Sequence, residues 1–544
     1  MAEIPPGQPI AVPALSERPQ PYAYYALVLL TLANFINILD RLIPSILTQN
    51  IKVDLHLNDA QLGFLLGTAL AVFFAIVGTA IGRTSDLVSR KWTMVVGLTT
   101  WSAMTALGGA ATNFATLSAA RIGVGAGEAV GIPCSHSLLS DYFPARNRAT
   151  VLAVYLSGTF LGGAAALIFG GLFLQHWSQL CTSLPFQNAC ALPSWKATLI
   201  AVGLPGLPLA VLIAGLREPR APHRQHAPLG RVLLTEFAAS IPPFTALTLF
   251  SVGGGRALRR NLLLIALLTL TAYLIILLTR DVAQWVSIAL GAYAIVAWGK
   301  IQKYRDPALY RLTFGCPTFV LAMLSSGVVA CISASVQAWM APFAMRTFAL
   351  APAQIGLSIG LTVAVGSAIG VITGGRVADK WKLIDRRAPV WVALICVVVG
   401  LPAELLTVFA HTYQRYLLGL AIYSLFMAGW SGAYAALIQD LVLPRMRGTA
   451  AAAFTLTTIV IASGAGPYWA GKVSALTGSL LDGLLSVQLL LPVSIVVLLQ
   501  TARRLKLETP MSRRARAESA GEPVSSLAWP LGRREDPAPK IVRL

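Results

Sequence analysis

Between residues 23 and 501 the chain alternates apolar stretches with short polar breaks. A helix of about 20 apolar residues crosses roughly 30 Å of hydrocarbon. Only a helix satisfies its own backbone within one such segment. Stretches of this kind fall near 23–47, 61–82, 92–111, 114–138, 149–172, 196–216, 262–279, 282–299, 317–340, 354–377, 389–410, 416–438, 449–470 and 484–501. The pattern therefore predicts an all-α polytopic membrane protein with about fourteen spans. Residues 231–250 are also apolar, but Glu236, Pro242 and Pro243 suit an interfacial helix better than a span. Only Arg280-Asp281 separates the seventh and eighth stretches, which reads as a helical hairpin. Residues 1–21 are Pro-rich, lack the pattern of a signal peptide and read as a disordered cytoplasmic tail.

The predicted organisation is a tail at 1–21, a six-helix bundle at 22–217, a cytoplasmic linker with an interfacial helix at 218–260, and an inserted transmembrane hairpin at 261–300. A second six-helix bundle follows at 307–501, then a disordered basic tail at 502–544.

Composition sharpens this picture. Of 544 residues, 56% are hydrophobic and only 12% charged, about half the charge of a soluble domain. That excludes an ordinary soluble enzyme, a nucleic-acid binder and a disordered chain. The net charge of +20 has a topological explanation. With the N-terminus inside, the cytoplasmic segments hold 34 of the 42 Lys and Arg, the outer segments 6, and the spans Arg41 and Arg121. This asymmetry places both termini in the cytoplasm, in a bacterial inner membrane or a plasma membrane. Cys181 and Cys190 share one outer loop and read either as a disulfide or as free thiols.

Two loops repeat. The segment Asp141 to Ala153, with Arg148, returns as Asp440 to Ala452, with Arg447. The segment Gly82-Arg-Thr-Ser-Asp86, followed by Arg90-Lys91, returns as Gly375-Arg-Val-Ala-Asp379, followed by Lys380. The offsets, 299 and 293 residues, imply two six-helix halves in parallel orientation, related by a pseudo-twofold axis, with a solute path between them.

Gly82, Asp86, Arg90 and Lys91 resemble the loop signature of the major facilitator superfamily, with Leu87 and Ser89 where the family usually has Arg and Gly. Arg121-Ile-Gly-Val-Gly-Ala-Gly-Glu128, the run through Pro133, Ser135, Asp141, Pro144 and Arg148, and Asn37 with Asp40-Arg41 are similar to the Spinster branch. The resemblance implies the major facilitator fold, alternating access and an amphiphilic, lysolipid-like substrate. The hairpin departs from a twelve-helix pattern, and the fifth stretch has Gly158, Gly162 and Gly163 but no Pro to complete an antiporter signature.

Charges inside the spans are the candidate chemistry. A bare one costs roughly 2.5–3.5 kcal/mol or more, so such groups pair or face water. Arg121 and Glu128 are two helical turns apart and share a face, whereas Asp40 and Arg41 diverge by about 100°. The spacing suits pairs Asp40–Arg121 and Arg41–Glu128, and a carboxyl that changes partner between states is the minimum device for proton coupling. Asp86, Arg90 and Lys91, with Asp379 in the repeat, are candidates for a gating latch. Asp141, Arg148, Asp440 and Arg447 read either as part of that gate or as helix caps. Asn37, Tyr155, Trp339, Arg346, Trp430, Tyr434 and Glu404 are the candidate substrate contacts.

Enzyme signals are weak. Gly356-Leu-Ser358-Ile-Gly360 fits a nucleophile-elbow spacing but lies inside an apolar span with no preceding strand. No metal-binding or nucleotide-binding motif appears, so no cofactor is expected. The expected function is proton-coupled secondary transport of a small amphiphile by a monomer in the lipid bilayer, with small-molecule substrate and protons as partners. Two alternatives stand: a transporter of small organic anions such as a sugar acid or aromatic acid, clamped by Arg41, Arg121 or Arg346, and a non-transporting sensor or enzyme.

Overall fold

The computed structural model describes residues 21–87, 89–143, 148–183, 189–218, 244–443 and 446–521. Among these, every regular element is helical. The amino-terminal half begins with α1 (Pro21–Asp54), α2 (Asp59–Gly63), a π-helical turn (Phe64–Thr68) and α3 (Ala69–Leu87). It continues with α4 (Arg90–Gly108), α5 (Phe114–Glu128), α6 (Gly131–Tyr142), α7 (Arg148–Leu180), α8 (Ser194–Gly203) and α9 (Gly206–Ala214). The middle region forms α10 (Phe244–Thr279), α11 (Val282–Arg305) and the short α12 (Pro307–Leu312). The second half comprises α13 (Pro317–Phe348), α14 (Pro352–Lys382), α15 (Ala388–Val408), α16 (Tyr413–Asp440), α17 (Arg447–Thr477), α18 (Leu480–Val487) and α19 (Leu490–Leu507), with α20 (Pro510–Glu518) beyond it.

Twelve described segments are long and apolar enough to cross a membrane. The third and fourth expected spans correspond to α4 and to α5 with α6, the latter carrying Arg121 and Glu128. Polar caps set the entries. Asn58 and Gln61 form a capping box at the start of α2, and Asn113 and Thr116 do so at α5.

Two differences from the sequence reading have local causes. Helix precedes the seventh expected span: one segment starts at Phe244 and breaks at Gly254, whose φ of 65° lies in the left-handed region, before the helix that ends at Thr279. Of the interfacial stretch, 231–243 lies outside the described residues, as do tail residues 1–20. Residues 502–521 are not a disordered tail. Helix α19 continues to Leu507, and Thr509 and Ser512 form a capping box with Pro510 in the first turn of α20. Basic composition had masked that start signal.

One end of the bundle carries both described chain ends, here the terminal end; the opposite is the far end. The two halves meet at the far end through backbone approaches that only glycine permits. A Cβ on Gly67 would lie 1.9 Å from the Ser463 carbonyl oxygen, and one on Gly356 would lie 2.1 Å from that of Leu167. The first contact seals the π-helical turn against α17, the second seals α7 against α14. The hairpin lies along the α3–α17 seam. The Gln284 side chain accepts from the Thr68 hydroxyl at 2.6 Å and donates to the Gly464 carbonyl at 2.8 Å, so one amide touches both halves. At its far-end turn, Asp281 pairs with Lys472 at 2.6 Å and accepts from Tyr468 at 2.7 Å. Cys181 and Cys190 form a disulfide.

Candidate functional site

The charged cluster forms beside Pro44, which lies inside α1. Proline has no N–H, so the carbonyl four residues earlier, that of Asp40, loses its helical partner. Arg121 of α5 supplies the replacement. Its guanidinium donates to the carbonyls of Asp40 and Arg41 at 3.2 Å each and to that of Leu65, in the π-helical turn, at 3.3 Å. The expected pairing of Arg121 with the Asp40 carboxylate therefore does not form; the guanidinium is spent on backbone exposed by two helix irregularities. Both Asp40 carboxylate oxygens are buried without a hydrogen-bond partner, with Glu128, Arg121 and Thr105 the polar groups around them. The other expected pair does form. Arg41 donates to the same Glu128 oxygen through Nη2 at 2.5 Å and Nε at 2.9 Å, and lies over the Phe74 ring at 5.3 Å. Glu128 is buried, whereas the Arg41 side chain is 24% exposed. Asn37, one turn before Arg41, is buried with its amide nitrogen unpartnered.

At the terminal end the predicted latch is rewired. Arg90, buried, pairs with Asp141 at 2.6 Å and with Glu218 at 3.3 Å, and donates to the Ser137 hydroxyl and carbonyl. Burial pushes the Glu218 carboxyl up, but the Ser89 hydroxyl and the Arg90 backbone and side chain outweigh it and hold it below its ordinary value. Lys91 instead sits over the Trp92 ring. The second half repeats the logic: Asp440, at the end of α16, pairs with Lys382, at the end of α14. Asp379 is exposed near the end of α14 and Arg447 is half-buried at the start of α17. The side chains of Asp86 and Arg148 lie outside the described residues.

The far end holds a site that sequence reasoning missed. Asp59, buried at the start of α2, accepts from both Arg346 nitrogens at 2.8 and 2.9 Å, from Lys52 at 2.7 Å and from Ser474 at 2.7 Å. These groups come from α1, α2, α13 and α17, so a single carboxylate ties the halves together. The one available signal was the capping box around Asn58, which makes the next residue a helix-start acid. Arg346 is thus engaged by Asp59 rather than open to a substrate carboxylate.

The other expected substrate contacts are mostly packing. Trp339 donates to the Pro467 carbonyl at 2.9 Å, and Tyr434 shares a hydrogen bond of 3.0 Å with Ser325 and meets Trp430 edge-on at 5.8 Å. Tyr155 is buried edge-on against His136 at 5.2 Å. Large rings here serve the helix contacts that the apolar lining requires. Glu404 is buried in the second half, accepts from Gln488 through one oxygen and leaves the other unpartnered. Among the described residues no cluster of His, Cys, Asp and Glu could hold a metal ion.

Two paired bundles, a repeated loop acid and buried charges facing a seam are now joined by a direct comparison. The sequence matches the Major Facilitator Superfamily over residues 30–467. The chain belongs to the Major Facilitator Superfamily. An MFS-type efflux pump of Mycolicibacterium smegmatis is 26% identical over 452 residues, covering 83% of this chain and 84% of that protein. Protein spinster of Drosophila melanogaster is 24% identical over 202 residues, 37% of this chain and 31% of that protein. A solved structure of a bacterial homolog to the human lysosomal transporter Spinster, inward-facing and unoccupied, superposes with a TM-score of 0.63 at 21% identity, covering 94% of this chain and 96% of that one. This member of the superfamily is a multi-pass membrane transporter that binds a small-molecule substrate, not an enzyme.

Proposed function

We propose that the protein is a proton-coupled secondary transporter that moves a small amphiphilic or lipid-like solute by alternating access, acting as a monomer with both termini in the cytoplasm. The bundles at 22–217 and 307–501 rock against each other, and this conformation is closed toward the outside. The observation that carries the reading is the buried cluster of Asp40, Arg41, Arg121 and Glu128, set beside a seam held shut at its far end by Asp59 and Arg346. Arg41 is the member that is partly exposed, so any change of state that moves α1 against its neighbours alters the pairing of Glu128. A carboxyl that loses a cation in low dielectric favours its neutral form, which converts motion into proton uptake. An amphiphilic solute is supported by the scarcity of charge along the spans and is what the resemblance to the Spinster branch implies.

The test is flux in proteoliposomes, with a panel of lysophospholipids set against sugar acids and aromatic acids. Asp40→Asn and Glu128→Gln should each abolish pH-driven flux of the transported solute while leaving thermal unfolding of the purified protein intact. Unchanged proton-driven flux in both variants would overturn the coupling assignment. A carboxylate moved in place of the lysolipids would overturn the substrate class.

A further inference from the structure

A cleft of about 410 Å³ opens on the terminal end where α14 turns into α15 and α19 finishes. It is lined by Ile384, Asp385, Arg386, Arg387, Leu505, Lys506 and Glu508. Its two acids are already satisfied from within. Asp385 accepts from the Arg387 guanidinium at 3.0–3.1 Å and from Trp391 at 3.1 Å, and the Arg387 guanidinium holds its carboxyl below the ordinary value. Glu508 accepts from Arg516 at 2.6 and 2.7 Å and from Thr318 at 3.1 Å. The cations are left in excess: Arg386 and Lys506 are exposed on the cleft wall, and the Arg513 guanidinium feels the charge of Arg386 from behind.

The positive-inside rule accounts for cations at this end of the molecule. It does not account for their convergence on one cleft, nor for the apolar side chains beside them. Leu383 is 89% exposed, Ile384 88% and Leu507 72%. Leu383 and Ile384 directly follow α14 and Leu507 is the last residue of α19, each a turn or two beyond the apolar stretches that end near 377 and 501, and water is a poor solvent for them. The cleft also opens at the N-terminus of the 21-residue α15, whose dipole favours negative charge. A ligand that matches every part of this surface carries a negative headgroup for Arg386 and Lys506 and acyl chains for Leu383, Ile384 and Leu507. We propose that this cleft is a binding site for an anionic phospholipid headgroup, separate from the solute path between the halves.

Occupancy has a structural consequence. Lys382, on the same turn, pairs with Asp440, and Arg513 donates to the Asp440 carbonyl. A headgroup in the cleft therefore adjoins the ion pair that joins α14 to α16.

The experiment uses the purified full-length protein in an uncharged detergent. It is titrated with a short-chain phosphatidylglycerol, the matching phosphatidylcholine, or inorganic phosphate, and read by thermal unfolding and native mass spectrometry. Phosphatidylglycerol should raise the apparent Tm saturably, as a ligand selective for the folded state does, and phosphatidylcholine should not. Each surface cation contributes roughly a fivefold gain in affinity for an anionic headgroup. Arg386→Gln with Lys506→Gln should therefore weaken phosphatidylglycerol binding by roughly 25-fold without changing the lipid-free Tm. Lys300→Gln with Lys303→Gln, on α11 at the same end, should leave the binding in place. Arg386→Lys should restore most of it, which separates charge from packing. An equal shift from phosphatidylcholine, or a shift that survives the Arg386/Lys506 double substitution, would overturn the site. An equal shift from phosphate would overturn the lipid as its occupant.

Discussion

Arg121 shows how a charged residue in a span can be structural and functional at once. Its guanidinium closes the backbone of α1 where Pro44 opened it, and that closure fixes the Asp40 carboxyl inside the amino-terminal half. Arg121→Ala should lower stability by about 1–3 kcal/mol for the buried carbonyls left unpaired. Adding Pro44→Ala returns an N–H to the Asp40 carbonyl and should recover part of the loss, as thermal unfolding of the single and double variants will read. A purely electrostatic role for Arg121 would show no such rescue. At the terminal end, Glu218 titrates below its ordinary value near 4.5 when folded. A group whose folded value is depressed stabilises the fold above its unfolded value and loses that contribution as pH falls through the folded one. Unfolding of the wild type should therefore become easier on acidification below about pH 4.5 by a margin that Glu218→Gln lacks. The Arg41–Glu128 pair was legible from helical spacing. The destination of Arg121 was not, because an expectation built on charge overlooks a carbonyl that a proline has stripped of its donor. The proline stands four residues after Asp40 in plain view.

At the scale of elements, hydrophobic length placed the spans well and their ends less well. The expected span at 23–47 continues to Asp54 through a polar end that hydropathy does not register, and that at 317–340 continues to Phe348 through Pro342 and Arg346, which read as breaks in an apolar run. The π-helical turn at Phe64–Thr68 has no sequence period of its own, yet it supplies Gly67 to the far-end seam. Gly67→Val should cost about 1–3 kcal/mol, the usual penalty of overpacking, since the Ser463 carbonyl leaves no room. The variant's thermal midpoint measures it; no loss would mean that α17 gives way freely. The two-residue turn at Arg280-Asp281 told of a hairpin but not of where it docks, which is decided by a polar side chain, Gln284, meeting a hydroxyl and a carbonyl far away in sequence.

For the whole molecule, the internal repeat announced two halves, and the acids Asp141 and Asp440 each pair with a cation at a neighbouring helix end, Arg90 and Lys382. What no local pattern reveals is a contact between halves, because its partners lie hundreds of residues apart. Asp59 and Arg346 are such partners. Asp59→Asn removes the charge from a bidentate pair, and charge-assisted bonds contribute about 1.5–3 kcal/mol each. The equilibrium should move toward the outward-open arrangement by tenfold or more. Leu167 of α7, buried against Gly356 and Gly360 of α14, offers a reporter: a cysteine there, in a background cleared of native free thiols, should react faster with an impermeant maleimide from the outside in the Asp59→Asn protein. Unaltered labelling would remove Asp59 from the closing mechanism.

The hairpin meets the same geometry with a different outcome. Gln284 holds one hydroxyl of the first half and one carbonyl of the second, whereas Asp281 is bound by two groups of α17 alone. When the halves part on the outer side, Thr68 is the weaker attachment. The polar bonds tie the hairpin to the carboxyl-terminal half, while Ala294 packs on Val72 and Ile76 of α3, so that each cycle must strain one of these two attachments.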